Sequence, residues 1–253
     1  MKTKFHIPTQ QFGFLEIIGT EEDLPEMEKL YNKYAEKPIA FDEGFEKFKT
    51  FTGEEVFYDD VTHSYKDLDG NRLLSGSAYK KSLEKPFDLE NISKAVGKKH
   101  DVDQQTIKDM WSHNSSTSLA FGNAIHNAME QWFKFKDSGT EKEYHLPKHP
   151  YLQNMVQSFP LKDKECIPEV LVSDVKNARV GRIDLLEITG DKKCILHDYK
   201  SDGKIEETVE GHFKQLSFYA HILIEFGWEV EKVVIWNYLD EWKSFDSPVL
   251  ELK

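Results

Sequence analysis

The second half of the chain alternates between apolar runs of strand length and segments with helical periodicity. Three consecutive β-prone runs cover residues 165–172, 179–188 and 194–200. Apolar residues at helical spacing flank these runs and predict helices over 118–136, 151–159 and 205–226, with further strands over 230–238 and near 249–252. This order of elements predicts an α/β fold with a central mixed β-sheet flanked by helices.

Shorter elements are predicted in the first half of the chain. Residues 1–20 favour one or two strands, 20–36 favour a helix with acids in its first turn, and 54–74 favour a hairpin. Helices are also predicted over 77–95, interrupted near Pro86, and over 101–113. We therefore expect an N-terminal α+β extension over residues 1–115 and a separate core over residues 116–253.

Length and charge limit the functions that are compatible with this sequence. The 253 residues can bury one substantial core, and the net charge of −12 argues against nonspecific coating of nucleic acid. Residues 61–200 are nearly neutral, however, with 21 Lys and Arg against 20 Asp and Glu. A focused DNA site in the middle of the chain is therefore compatible with the acidic total.

Cysteine content and hydropathy limit the cofactors and the location. Cys166 and Cys194 lie in apolar runs, which favours buried free thiols, and they are too few for a four-thiolate cluster. No signal-peptide pattern opens the chain, and no apolar run approaches the ~20 residues that a membrane span needs. We therefore expect a cytoplasmic protein without a membrane partner.

The strongest chemical signal comes from acids within the three β-prone runs. Asp184 lies in the second run and Asp198 in the third, and Lys200 shares a strand face with Asp198. Two carboxylates can hold a hard divalent cation, while a lysine can orient a water or a phosphate oxygen. This combination favours phosphodiester hydrolysis, with Glu169 in the first run as a further acid near the site.

Structural roles for the same acids stay open at this stage. Asp184 and Asp198 could face solvent at a sheet edge, or form salt bridges with Arg182 or Lys200, because an unpaired buried carboxylate is costly. Glu169 could equally be an exposed edge residue.

The helices on either side of the strands carry further candidates at four-residue spacing, which places each pair on one helix face. His126 and Glu130 share a face of the preceding helix, and the alternative is a surface histidine beside a surface acid. Gln215 and Tyr219 share a face of the following helix and could project an amide and a phenol toward the site. Alternatively, Tyr219 is part of the core and Gln215 lies at the surface.

Taken in order, these segments resemble the PD-(D/E)XK nuclease superfamily, in its RecB-like exonuclease branch. The resemblance covers roughly residues 118–226, under half of the chain. It rests on a helical histidine motif from Gly122 to Glu130, an acid at Glu169, the aspartate motif Gly181-Arg182-Ile183-Asp184, the acid–x–lysine motif Asp198-Tyr199-Lys200, and the Gln-x-x-x-Tyr motif from Gln215 to Tyr219.

The resemblance implies a restriction-endonuclease-like core and a metal site. Its ligands would be His126, Asp184, Asp198 and the backbone carbonyl of Tyr199. Mg²⁺ or Mn²⁺ suits this oxygen-rich set, and the histidine makes Mn²⁺ more acceptable. The cysteines that hold an iron–sulfur cluster in some relatives have no counterpart in this chain.

The resemblance also implies roles for the remaining candidates. Lys200 would position the attacking water and stabilise charge developing on the phosphate, with Glu169 nearby among the catalytic acids. Gln215 and Tyr219 would support the site or bind the DNA end.

The favoured function is a metal-dependent DNA exonuclease of phage or bacterial type, acting in recombination, repair or replication. A phage enzyme of this kind would act in the host cytoplasm. The alternatives are an endonuclease or structure-specific nuclease on the same fold, or a catalytically inactive nucleic-acid-binding module. Linear DNA ends or single strands are the expected partners, and a single-strand-binding or annealing protein is a further candidate.

A lysine-rich segment with interleaved aromatic residues is the candidate surface for gripping DNA. It includes Lys80, Lys98 and Lys99, which suit phosphate contacts, while the neighbouring aromatic rings suit base stacking. The alternative is an ordinary solvated helix face.

Overall fold

The computed structural model describes residues 3–9, 13–19, 45–59, 64–136, 147 and 149–252. The chain divides into two compact units, one comprising residues 1–46 with 58–63 and the other comprising residues 47–57 with 64–253. The boundary predicted between residues 115 and 116 falls inside a helix of the larger unit.

The smaller unit contains the two strands predicted within residues 1–20. Strands β1 (Thr3–Thr9) and β2 (Gly13–Gly19) pair antiparallel as a hairpin, with Thr3 opposite Gly19. The helix predicted over 20–36 lies outside the described residues.

The larger unit is built around a mixed sheet of nine strands. A central mixed sheet was predicted from the sequence, without its number of strands. The strands run in the order β11–β10–β9–β8–β6–β5–β4–β3, and β7 also pairs with β8. The β9–β10 and β6–β8 pairs are parallel, whereas β7–β8, β8–β9 and β10–β11 are antiparallel. The strands are β3 (Phe45–Lys49), β4 (Glu55–Asp59), β5 (Ser64–Lys66), β6 (Arg72–Ser75), β7 (Cys166–Asp174), β8 (Arg179–Gly190), β9 (Lys193–Lys200), β10 (Glu229–Tyr238) and β11 (Trp242–Ser247).

Five α-helices belong to the described part of the chain. None of them combines the length and apolarity that crossing a membrane would require. The helices are α1 (Gly76–Leu83), α2 (Leu89–His100), α3 (Gln104–Phe135), α4 (Pro150–Ser158) and α5 (Ile205–Glu225).

Helix α3 corrects the prediction of two separate helices over 101–113 and 118–136, because it runs through both without a break. The intervening residues are mostly Ser, Thr and Asn, which have low helix propensity and no apolar stripe. The hydroxyls of Ser116 and Thr117 donate to the carbonyls four residues earlier, so they are satisfied within the helix and need not end it.

The last strand also differs from its predicted position near 249–252, since β11 ends at Ser247. The predicted segment instead packs on α5. The backbone N–H of Leu250 donates to the Ser217 hydroxyl, and Val249 and Leu252 pack against the buried cluster that α5 forms with the sheet. An apolar segment that covers a helix has the same composition as a strand, so periodicity did not separate the two.

Two core clusters pack against the sheet. One joins the strands to α5, and the other joins them to α3 and α4. In a regular strand, Ile183 and Leu185 would face the same side, yet Ile183 belongs to the first cluster and Leu185 to the second. The face alternation of β8 therefore shifts at Asp184, the acid predicted to bind metal.

Candidate active site

Three acids lie in one row across the adjacent strands β7, β8 and β9. The register of β7 with β8 pairs Pro168 with Leu185 and Val170 with Ile183, which brings Glu169 opposite Asp184. The register of β8 with β9, which pairs Leu185 with His197, brings Asp184 opposite Asp198 when continued by one residue.

The backbone at Glu169 is locally irregular. Its φ of 52° lies in the left-handed region, which is uncommon for a residue with a side chain, and it is skipped in the pairing of β7 with β8. Strain of this kind within a strand redirects a side chain and is concentrated at functional sites. Here it accompanies a largely buried carboxylate, so the exposed-edge alternative for Glu169 does not hold.

The β8–β9 ladder stops immediately before the acids. The last paired residues are Leu185 and His197, and the next amide available on β9, that of Tyr199, donates to the Oδ2 atom of Asp184 at 2.9 Å. A side-chain carboxylate thus takes the place of a backbone acceptor. The two strands thus stop pairing through their backbones at the row of acids.

Helix α3 brings His126 to the row of acids. The Nδ1 atom of His126 lies 3.4 Å from Oδ2 of Asp184, and its ring meets the Tyr199 ring edge-on with centroids 5.9 Å apart. Burial first, and Lys200 second, lower the pKa of His126 below its ordinary value. The imidazole is therefore neutral near pH 7, which is the form that binds metals. Glu130, one turn further on, pairs instead with Lys134.

Lys200 lies beside Asp198, as the strand alternation predicts. Its Nζ atom is 2.5 Å from Oδ2 of Asp198 and donates a hydrogen bond to the carbonyl of Tyr199 at 3.0 Å. Oδ2 is buried and forms a close ion pair with this ammonium. The salt bridge considered from sequence is thus present between Asp198 and Lys200, and it compensates the charge of this buried carboxylate.

The pKa values of the Asp184 and Asp198 carboxyls are shifted in opposite directions. Burial, and then repulsion from Asp198, raise the pKa of Asp184 well above its usual range. Burial alone would also raise the pKa of Asp198, but the Lys200 ammonium and a hydrogen bond with Asp184 hold it below its ordinary value. Without a cation, the pair therefore favours one proton, on Asp184, because two adjacent buried carboxylates cannot both ionise cheaply.

A divalent cation fits this set of residues. One ligand atom from each of His126, Glu169 and Asp184 lies within 4.8 Å of the other two. Opposite ligands of Mg²⁺ are about 4.2 Å apart, so small side-chain movements would close the three around one ion. Burial raises the pKa of Glu169 to about 7, a cost that a cation would offset. Asp198, opposite Asp184 in the strand register, would complete the set while it remains paired with Lys200.

The structure thus places most of the predicted metal ligands together and brings Glu169 into the group. Arg182 lies next to this acid, with its Nη1 atom 3.8 Å from Oε2 of Glu169. The backbone irregularity that directs Glu169 inward has no sequence signal that could have revealed it.

Gln215 and Tyr219 lie on α5, and Gln215 donates to the Tyr219 hydroxyl at 3.0 Å. The Tyr219 ring is buried, as the core alternative supposed, and fills the space beside two glycines. A Cβ atom added to Gly181 would lie 2.0 Å from Cε1 of Tyr219, and one added to Gly76 would lie 2.2 Å from the same atom. The glycine of the aspartate segment is thus explained by the tyrosine of the following helix.

We expect Gly181→Ala to destabilise the protein by about 1–3 kcal/mol, because the methyl group overpacks the Tyr219 ring. Tyr219→Ala alone should also be destabilising, since it leaves a cavity. The double variant should lose less stability than the two single losses combined, because removing the ring relieves the clash. Urea unfolding of the three variants measures this coupling.

Gly190→Ala on the same strand is the matched control, since its Cβ would lie 3.5 Å from Lys193, an ordinary contact. If the losses of stability in Gly181→Ala and Tyr219→Ala simply add in the double variant, the Tyr219 ring does not occupy the space beside Gly181.

The lysines of the segment predicted to grip DNA differ in their surroundings. Lys98 and Lys99 are exposed in the last turn of α2, where they remain candidates for DNA contact. Lys80, in contrast, is half-buried beside α5, with Nζ 3.3 Å from Nδ1 of His212. His212 was not singled out from sequence, because a histidine on an amphipathic helix has no distinguishing pattern.

Comparisons with known proteins add little to this description. No family model and no curated protein matches the chain. A crystal structure of SSO0001 matches 51% of this chain and 68% of its own, with 15% sequence identity and a TM-score of 0.29. A similarity at that level carries no argument about fold or function.

Proposed function

We propose that this protein is a divalent-metal-dependent deoxyribonuclease that hydrolyses DNA from an end. The observation that carries the proposal is the convergence of His126, Glu169 and Asp184 within 4.8 Å, next to the Asp198–Lys200 pair. The resemblance of the motifs to RecB-like exonucleases supports DNA as the substrate and an end as its point of attack.

Each side chain has a defined task under this proposal. His126, Glu169, Asp184 and Asp198 would hold Mg²⁺ or Mn²⁺, which polarises the phosphate and lowers the pKa of a bound water. Lys200 is held in place by Asp198 and the Tyr199 carbonyl, so its remaining N–H group can orient that water or stabilise charge developing on the phosphate.

Glu169 and Asp184 also favour this chemistry through their proton affinities. Both carboxyls have a raised pKa, and burial is the leading cause for each. Binding of a cation would displace those protons and leave the Glu169 and Asp184 carboxylates ionised. Groups perturbed in this way by burial and by each other are typical of functional sites.

End-labelled linear DNA and closed circular DNA, each incubated with Mg²⁺, Mn²⁺ or EDTA, test the proposal. We expect loss of linear DNA with either metal, no loss in EDTA, and intact circles throughout. Nicking of circles would replace the exonuclease with an endonuclease on the same site. Binding without cleavage under every condition would instead show a nucleic-acid-binding module and overturn the nuclease.

Polarity assays on this substrate can include candidate partners. A single-strand-binding or annealing protein is expected to act on the strand that digestion exposes, so its addition should change the products only where digestion has occurred.

A further inference from the structure

A second group of nitrogen donors lies on the α5 side of Lys200. Lys80, near the end of α1, reaches across to α5, where its Nζ atom is 3.3 Å from Nδ1 of His212. Its stem passes over Gly211, where an added Cβ would lie 3.0 Å from Cε of Lys80. The absence of a side chain at Gly211 therefore gives this lysine its path to the histidine.

The Lys80 ammonium is not neutralised by a carboxylate. No acid lies within salt-bridge distance of its Nζ atom among the residues that the structure describes, and its hydrogen-bonding partner is an imidazole. Burial is the leading cause that lowers the pKa of Lys80, with Lys200 adding to it and Glu84, Asp198 and Asp202 opposing it. A half-buried cation without a bonded counter-ion has unused binding capacity for an anion.

The carboxylate of Asp202, one of the acids near Lys80, is already engaged. Its Oδ1 atom accepts from the backbone N–H of Lys204 and its Oδ2 atom from the Thr208 hydroxyl, both at 2.8 Å. These bonds hold the acid at the start of α5. The Asp202 oxygens are therefore bonded within this turn, and they form no ion pair with the Lys80 ammonium.

His212 presents a second donor at the same place. Burial, with Lys200 as the next cause, lowers the pKa of His212 to about 4, so the imidazole is neutral near pH 7. Because its Nδ1 atom faces the Lys80 ammonium and accepts from it, the ring proton resides on Nε2. The half-buried ring thus offers one N–H group beside one ammonium.

We propose that Lys80 and His212 form a phosphate-binding subsite that holds a phosphate of the substrate strand other than the one being cleaved. This subsite rests on the proposed nuclease function and specifies how the strand is held. Lys200 and the cation would act on the scissile phosphate, while Lys80 and His212 fix the strand next to it. The phosphate is either an internal phosphodiester or a terminal monoester, since both present the same anionic oxygens.

Equilibrium binding of a short single-stranded oligonucleotide in EDTA tests the subsite without turnover. We expect Lys80→Met to weaken binding about 10-fold, as loss of a charged hydrogen bond does, and to reduce the salt slope by about 0.7. His212→Leu should weaken binding to a similar extent. His212→Gln should restore much of it, because the Gln amide can replace the Nε2 donor.

Lys81→Met is the matched control, because Lys81 is the next residue on α1, carries the same charge and is exposed. Oligonucleotides with and without a terminal phosphate distinguish a terminal phosphate monoester from an internal phosphodiester as the bound group. An effect restricted to the phosphorylated oligonucleotide assigns a terminal monoester, and an equal effect on both assigns an internal phosphodiester.

Wild-type affinity and salt slope in Lys80→Met or His212→Leu would overturn the subsite even if the protein cleaves DNA. If the two variants bind the oligonucleotide more weakly as expected, but the wild-type protein cleaves no DNA, the subsite is supported and the nuclease is rejected. Absence of oligonucleotide binding by the wild-type chain in EDTA would reject the subsite, while the cleavage assay with Mg²⁺ or Mn²⁺ decides on the nuclease separately. If His212→Gln binds as poorly as His212→Leu, the ring has a packing role and the histidine is not a ligand.

Discussion

Replacing Asp184 with Asn should abolish metal-dependent cleavage while making the metal-free protein more stable. Asp184 contacts His126, accepts from Tyr199 and faces Asp198, so it lies at the centre of the proposed ligand set. Loss of a charged ligand removes several kcal/mol of charge stabilisation, or about 10³-fold in rate. The amide should still accept the Tyr199 N–H bond, which preserves the local backbone.

The stability gain follows from the titration of Asp184. Burial and repulsion from Asp198 raise its pKa, so the folded state favours the protonated form. Above the unfolded-state pKa of about 3.9, the unfolded state releases a proton that the fold retains, and each further pH unit costs stability until the folded-state pKa is passed. Asn removes this cost, so the metal-free Tm at pH 7 should rise.

Thermal unfolding with and without Mg²⁺ measures both effects. At a Mg²⁺ concentration of 100 times Kd, the wild-type protein should gain about 2.7 kcal/mol, or roughly 5–10 °C in Tm. The Asp184→Asn variant should show no such shift. Asp191→Asn, in the exposed turn between β8 and β9, removes the same charge and should behave like the wild type.

A Mg²⁺-dependent Tm shift that survives in Asp184→Asn would mean that the cation binds elsewhere. Cleavage at a wild-type rate would remove Asp184 from the site altogether.

The sequence predicted the strands of the site because each run is apolar, β-prone and bounded by turn residues. Strand alternation was enough to place Lys200 beside Asp198, since that relation depends only on a period of two. The position of His126 required knowing which helix packs on which face of the sheet. Helical periodicity identifies the apolar face of a helix but not the element on which that face packs.

Other features depend on contacts between residues distant in the chain. The positive φ of Glu169 is a local departure that tertiary packing imposes, and no residue type at that position announces it. Gly122 has open space beside it, since no described atom outside its own helical turn lies within 4 Å of where its Cβ would be. Gly181, in contrast, is under packing constraint, because the ring of Tyr219, 38 positions later in the chain, lies beside it.

Replacing Lys200 with Met should separate catalysis from metal binding. The substitution keeps most of the length of the side chain but removes the ammonium that pairs with Asp198 and donates to the Tyr199 carbonyl. Cleavage should fall about 10³-fold, within the range for loss of a positioned proton-transfer or charge-stabilising group. Metal binding should persist, because none of the proposed ligands is altered.

The metal-free stability of Lys200→Met should move opposite to that of Asp184→Asn. Asp198 would be left as a buried carboxylate without its cation, a change that costs about 3–5 kcal/mol when a buried pair is broken. Mg²⁺ should recover part of this loss, since the ion supplies the missing positive charge. The Mg²⁺-dependent Tm shift should therefore exceed that of the wild type.

Lys204→Met, an exposed lysine before α5, is the control for the change in net charge and should keep wild-type cleavage. Lys200→Met that cleaves within a few-fold of the wild-type rate would show that the ammonium only neutralises Asp198. A Lys200→Met variant that loses both cleavage and the Mg²⁺-dependent Tm shift would place the lysine in the metal site's structure rather than in catalysis. Lost cleavage with an enlarged Tm shift is the combination that a catalytic lysine requires, because it removes the chemistry while leaving the cation bound.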